Sequence, residues 1–115
     1  MKLDWKNIEI FIKPGPTDMR KQIQSLAVYV SEEMKGNPLS GSLYVFCGKN
    51  RKSLKALYWD LNGFCLWQKR LEIDTFPWPR NIGEVRKITE EQLMMLLDGI
   101  DFFKAHKKLN FLAVS

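Results

Sequence analysis

Asn62-Gly63 stands between two apolar, β-prone segments, Leu54 to Asp60 and Phe64 to Ile73. Asn and Gly accept the left-handed backbone of a tight turn, so this pair constrains the chain more than any other feature: it predicts two long antiparallel strands joined at their tips. With Asn62-Gly63 as a two-residue turn, Leu61 faces Phe64, Trp59 faces Leu66, Leu57 faces Gln68 and Lys55 faces Arg70 on one side of the ribbon. The other side carries Tyr58 against Trp67 and Leu54 against Leu71, the composition of a core face. A three-residue turn would shift that register.

A ribbon of this kind needs partners to bury its apolar face, and the flanking sequence supplies them. Ile8, Ile10 and Ile12 alternate with Glu9, Phe11 and Lys13 as a half-buried strand that ends at Pro14-Gly15-Pro16. A helix is expected next, with Thr17 or Asp18 as N-cap and Met19, Ile23, Leu26, Val30 and Met34 as its apolar stripe, closed by Gly36. Leu43 to Cys47 reads as a strand, and Lys49 to Lys52 as the polar turn leading into the hairpin. Pro77 and Pro79 hold Asp74 to Gly83 as a loop, after which Glu84 to Ile88 adds a short strand. Thr89-Glu90-Glu91-Gln92 is a capping box ahead of a helix marked by Leu93, Leu96, Leu97 and Ile100. The order is β-α-β-β-β-(β)-α: an α+β chain with an antiparallel sheet of four to five strands around the central hairpin, packed against two helices. At 115 residues it is expected to be one domain, 1–115, with a core over about 10–101 and a tail over 102–115.

Catalytic groups are scarce. His106 is the sole histidine, in the weakly patterned tail, and Cys47 and Cys65 lie in strand-like apolar runs that suit small buried side chains. Asp18 is absorbed as a cap, Glu90 and Glu91 complement a helix dipole, and Asp98 and Asp101 fall near a helix end. Asp60 and Asp74 would be metal ligands only if the fold joined them. There is no P-loop, and the reading is of a binding module with no cofactor and no metal. Two cysteines without C-x-x-C, and a start unlike a signal peptide, lead to the expectation of a reducing cytoplasm. Apolar runs of a few residues fall far short of the roughly 20 that span a bilayer.

The charge is more telling. Lys and Arg number 18 against 13 Asp and Glu, and the excess of +5 concentrates between Lys49 and Arg70. That window holds Lys49, Arg51, Lys52, Lys55, Lys69 and Arg70 against Asp60 alone. Arg20 and Lys21 add two cations where a helix start prefers carboxylates, which together with free backbone N–H groups would suit a phosphate. These eight residues are the candidate nucleic-acid contacts, because cations interleaved with aromatics meet phosphates and bases respectively. Trp59 and Trp78 are the candidate aromatic contacts; the other reading of these rings, with Tyr58, Phe64 and Trp67, is that they fill the core.

Several strings together carry a resemblance. Gly15-Pro16-Thr17-Asp18-Met19-Arg20-Lys21, Ser42-Leu43-Tyr44-Val45-Phe46, Leu57-Tyr58-Trp59-Asp60, Asn62-Gly63-Phe64-Cys65-Leu66-Trp67, Lys69-Arg70-Leu71-Glu72 and Phe76-Pro77-Trp78-Pro79-Arg80 closely resemble the TnpB-type accessory proteins of the insertion-sequence-sixty-six family of bacterial transposable elements. These are distinct from the RNA-guided nuclease of the same label. The resemblance runs from about Ile10 to Asp101, departing at Gln22, often Gly in members, at Leu61, often small or polar, and at Gln68, often aromatic. It implies a non-catalytic accessory protein encoded beside a separate transposase and needed for efficient transposition; joined to the basic hairpin, this leads to the expectation of a nucleic-acid-binding subunit that helps the transposase on element DNA, with a companion accessory protein of the same element as a further expected partner. An adaptor that docks on the transposase or the companion protein without touching DNA is the alternative.

Overall fold

The computed structural model describes residues 7–81 and 83–100. Five strands form a single sheet in the order β4-β3-β2-β1-β5, with β1 at Ile10–Ile12, β2 at Leu43–Cys47, β3 at Ser53–Asp60, β4 at Gly63–Arg70 and β5 at Arg86–Ile88. Helix α1, Ile23–Glu32, covers one face, and helix α2, Glu90–Leu97, covers the other. The α+β reading holds, with one change to the sheet: β1 and β2 are parallel while the other three pairings are antiparallel. The cause is α1, which carries the chain back across the sheet between β1 and β2, as a parallel pair requires.

β2 is central, and each of its five residues is buried. Leu43, Val45 and Cys47 point to the α2 face, where Leu93, Leu96, Phe76 and Trp78 meet them. Tyr44 and Phe46 point to the α1 face against Leu26, Val30 and Met34. This two-sided burial explains why β2 reads as an unbroken apolar run instead of an alternating one. The capping box forms as expected: the Gln92 N–H donates to Thr89 Oγ1 at 3.1 Å and the Thr89 N–H to Gln92 Oε1 at 2.9 Å.

The hairpin forms with its register displaced by two residues. Trp59 pairs with Phe64, Leu57 with Leu66 and Lys55 with Gln68, so the two-residue connection is Leu61-Asn62 and Gly63 already belongs to β4. The Asn62 N–H donates to the Asp60 carbonyl across Leu61, whose φ of 53° is left-handed. A shift of two leaves every side chain on its expected face, so Leu54, Tyr58, Trp67 and Leu71 still join the core on the α2 side. β4 ends at Arg70, leaving Ile73 exposed, and β5 begins at Arg86 instead of Glu84.

Helix α1 starts later than its apolar stripe suggests. Neither Thr17 nor Asp18 caps it; the N-cap is Gln22, with no side-chain hydrogen bond. The Asp18 carboxylate instead accepts the Arg20 N–H at 2.9 Å in a local turn, and the segment to Lys21 is non-helical. Lys55 holds it there. Its side chain, 2% exposed on the α1 face of β3, donates from Nζ to the carbonyls of Met19 at 2.9 Å and Lys21 at 2.7 Å. The tail over 102–115, with His106, lies outside the described residues. No described helix is long and apolar enough to cross a membrane.

Truncating Lys55 removes a buried aliphatic stem and leaves two carbonyls without their donor. Lys55→Ala is expected to cost about 3 kcal/mol in urea unfolding, with Lys55→Met losing about half of that and Arg70→Ala under about 0.5 kcal/mol. Equal losses at Lys55 and Arg70 would contradict the assigned burial.

Candidate nucleic-acid interface

The C-terminal ends of the parallel strands β1 and β2 open into two loops, Lys13 to Gln22 and Gly48 to Lys52, on the same edge of the sheet. This is where an α/β arrangement leaves a crevice. The loops are tied together: the Thr17 N–H donates to the Cys47 carbonyl at 2.8 Å and the Gly15 N–H to the Pro79 carbonyl at 2.8 Å. The Phe76 N–H donates to the Arg51 carbonyl at 2.7 Å, and the Trp78 indole to the Lys13 carbonyl at 3.0 Å. Gly48 is required by close packing, since a Cβ there would lie 2.8 Å from Met19 Cγ.

Between these loops lies a crevice of about 330 Å³ lined by Gly15, Pro16, Gly48, Lys49, Arg51, Trp78, Pro79 and Arg80. It adjoins a wider depression of about 830 Å³ that also touches Thr17, Asp18, Met19, Asn50 and Ser53. The Thr17 hydroxyl is buried at its edge with no partner of good hydrogen-bond geometry, the Tyr29 phenol being the polar group beside it.

The fold sorts the eight predicted cations. Lys49 is exposed and Arg51 and Lys52 are half-buried in the β2–β3 loop, with Arg70 exposed across the ladder beside Ser53. Arg51 has a left-handed φ of 60° and donates its N–H to the Gly48 carbonyl, while the Asn50 side chain accepts the Lys52 N–H at 3.0 Å. Arg70 lies 3.9 Å from the Glu72 carboxylate, both side chains in solvent.

Lys55 must be removed from the predicted interface, because it is buried and its Nζ is spent on the Met19 and Lys21 carbonyls. Lys69 points to the opposite face, half-buried, and donates to the Leu97 carbonyl at 3.1 Å, where a cation complements the C-terminal end of α2. Arg20 is exposed but held in a two-toothed contact with Asp18, Nη2 to Oδ2 at 2.8 Å and Nε to Oδ1 at 3.1 Å. Lys21 lies 5.6 Å from the Tyr29 ring centroid, over its face. The helix-start phosphate site expected from Arg20 and Lys21 is therefore not formed: α1 begins beyond both residues. Arg80 joins the crevice unforeseen, brought there by the Pro77-Trp78-Pro79 segment folding back onto the Lys13 carbonyl.

Of the candidate rings, Trp78 is 5% exposed and belongs to the core. Trp59 is half-buried and packs edge-to-face on Phe64 with centroids 5.0 Å apart. Burial pushes the Cys47 thiol up to about 12, so it holds its proton at neutral pH. Asp60 and Asp74 sit at opposite ends of the β3–β4 ribbon. Among the described residues no group of three His, Cys, Asp or Glu side chains could hold a metal ion.

Residues 8–107 match the model of the family described as IS66 Orf2 like protein. The chain is similar to the uncharacterized protein y4hO of Sinorhizobium fredii, 43% identical over 97 residues and 84% of each chain. It is also similar to the uncharacterized protein y4jC of the same organism, 26% identical over 103 residues, 90% of this chain and 88% of the other. No solved structure matches the chain significantly.

The Arg20 hydrogen bonds hold the Asp18 carboxyl at about 2, below its ordinary 3.8. A depressed value means the pairing contributes fully above pH ~4 and is lost as pH falls through about 2. Carbon-detected NMR titration is expected to find Asp18 changing charge near pH 2, and to find it raised part of the way toward 3.8 in Arg20→Gln, whose backbone N–H still reaches the carboxylate. An unchanged titration in that variant would refute the pairing.

Proposed function

Because the chain belongs to the IS66 Orf2-like family, and so is a transposition-associated accessory protein, we propose that it binds element DNA without catalysis of its own and assists a separate transposase. The observation that carries this reading is the basic end of the sheet. Lys49, Arg51 and Lys52 from one loop, Arg70 from the neighbouring strand and Arg80 from a third segment gather there, and the crevice among them has no carboxylate in its wall. Like charges gathered at one end of the sheet repel one another. A polyanion relieves that repulsion and releases counterions on binding.

The far end of the hairpin supports a second contact, with protein. Leu61 is 91% exposed on a left-handed backbone at the tip, with the Trp59–Phe64 pair behind it and Asp60 beside it. An exposed leucine in a costly conformation next to a carboxylate suits an apolar pocket on a partner and does not suit DNA. The eight residues of β3 separate this tip from the basic loop by roughly 25 Å. In this reading the transposase or the companion accessory protein takes the tip while DNA takes the basic end.

Fluorescence anisotropy with element-end duplex is expected to show affinity falling steeply with salt. Replacing Lys49, Lys52 and Arg70 with Ala is expected to weaken binding by about tenfold or more and to flatten the log–log salt slope by up to about 3. Binding that ignores salt, or is unchanged in the triple variant, would refute the DNA contact. Leu61→Asp is expected to leave DNA affinity within about twofold while reducing capture of the transposase or companion protein about tenfold after nuclease treatment; undiminished capture by this variant would refute the tip contact.

A further inference from the structure

The crevice differs from the open basic surface around it in three respects. Its cations arrive from two segments remote in sequence, Lys49 and Arg51 from the β2–β3 loop and Arg80 from the loop after β4. Its walls are preorganised, since the Gly15–Pro79, Phe76–Arg51 and Trp78–Lys13 hydrogen bonds lock the three loops to one another. One side is apolar, built from Pro16 and Pro79, with only the rim of the otherwise buried Trp78 reaching it. None of Lys49, Arg51 or Arg80 forms an ion pair with a described carboxylate.

Two guanidiniums and an ammonium beside an apolar wall match the two halves of a nucleotide. Planar guanidinium forks recognise phosphate oxygens in pairs, and the apolar faces of proline rings pack on sugar and base. About 330 Å³ lies at the small end of ligand-site volumes, enough for a single nucleotide unit. A B-form duplex keeps its bases stacked inside and presents a convex backbone, so a base reaches such a wall only from a single strand, a frayed end or a flipped nucleotide.

Resting on the proposal that the basic end binds nucleic acid, we infer that this crevice seats one nucleotide of a single-stranded segment. The phosphate lies with Lys49, Arg51 and Arg80, and the sugar and base lie against Pro16 and Pro79, over the rim of Trp78. The lysine and arginine outside it, Lys52 and Arg70, contact the strand or duplex that flanks this nucleotide through phosphates alone. The chain thereby prefers single-stranded or opened DNA to a closed duplex.

The full-length protein labelled with ¹⁵N is titrated with thymidine monophosphate and with thymidine, and anisotropy compares a short oligothymidylate with a closed hairpin duplex. The Gly15 and Gly48 amides and the Trp78 indole are expected to shift with the monophosphate and to move little with thymidine. Arg80→Gln is expected to weaken oligothymidylate binding about tenfold and duplex binding under about twofold. Equal weakening of both DNAs, or no shift of the crevice signals, overturns the nucleotide seat. The broader nucleic-acid reading stands in that case if Lys52→Ala and Arg70→Ala still reduce affinity. Absence of binding to either DNA overturns both.

Discussion

A lysine turned into the interior organises one end of this molecule. Lys55 occupies a position of β3 that the strand pattern buries under α1, and burying an amino group without partners would be costly. Its partners are the carbonyls of Met19 and Lys21, so the chain ahead of α1 is kept out of the helix and drawn across the end of the sheet. From that placement the rest follows: Thr17 bonds to the end of β2, Gly15 to Pro79, and Met19 packs against Gly48 closely enough to exclude a side chain there. The crevice is the space left between loops positioned in this way.

The positive charges have three separate fates. Lys55 and Lys69 complete backbone hydrogen bonding on opposite faces of the sheet and behave as structural residues. Arg20 is neutralised locally by Asp18. Lys49, Arg51, Lys52 and Arg80 remain without a carboxylate partner among the described residues, with Arg70 only loosely matched by Glu72. A net excess that looks diffuse as a count becomes local once the structural and paired cations are set aside, and the excess lies beside a concave surface.

Much of this was legible in the residues. β2, the hairpin and the capping box at Thr89 are encoded locally, by an apolar run, a turn pair and a reciprocal Thr–Gln motif, and each formed where expected. The hairpin register slipped because Leu61, a poor turn residue, takes the left-handed position and Gly63 does not; the slip of two kept the faces intact. The start of α1 was misread because Met19 and Ile23 keep a helical spacing while tertiary bonds from Lys55 override it. The burial of Lys55 itself had only a weak signal, its place between Leu54 and Ala56 in a strand interior. Arg80 was out of reach because its role depends on a fold-back of the Trp78 loop onto Lys13 that no short-range pattern encodes.

Strand β1 has a consequence for the order in which this protein assembles. The β3–β4 ribbon and its β2 neighbour are made of segments close in sequence, whereas β1 must find β2 across the whole of α1 and β5 from the far side of the hairpin. Closing those long loops is entropically slow, so the ribbon is expected to form early and β1 to dock late. The loop after β1 forms one wall of the crevice, which places the basic site in the last region to order and the first to open by local fluctuation. Amide exchange at Gly15 and Thr17 then reports the integrity of the site separately from that of the ribbon, and a ligand that closes the crevice also acts as a latch on the N-terminal strand.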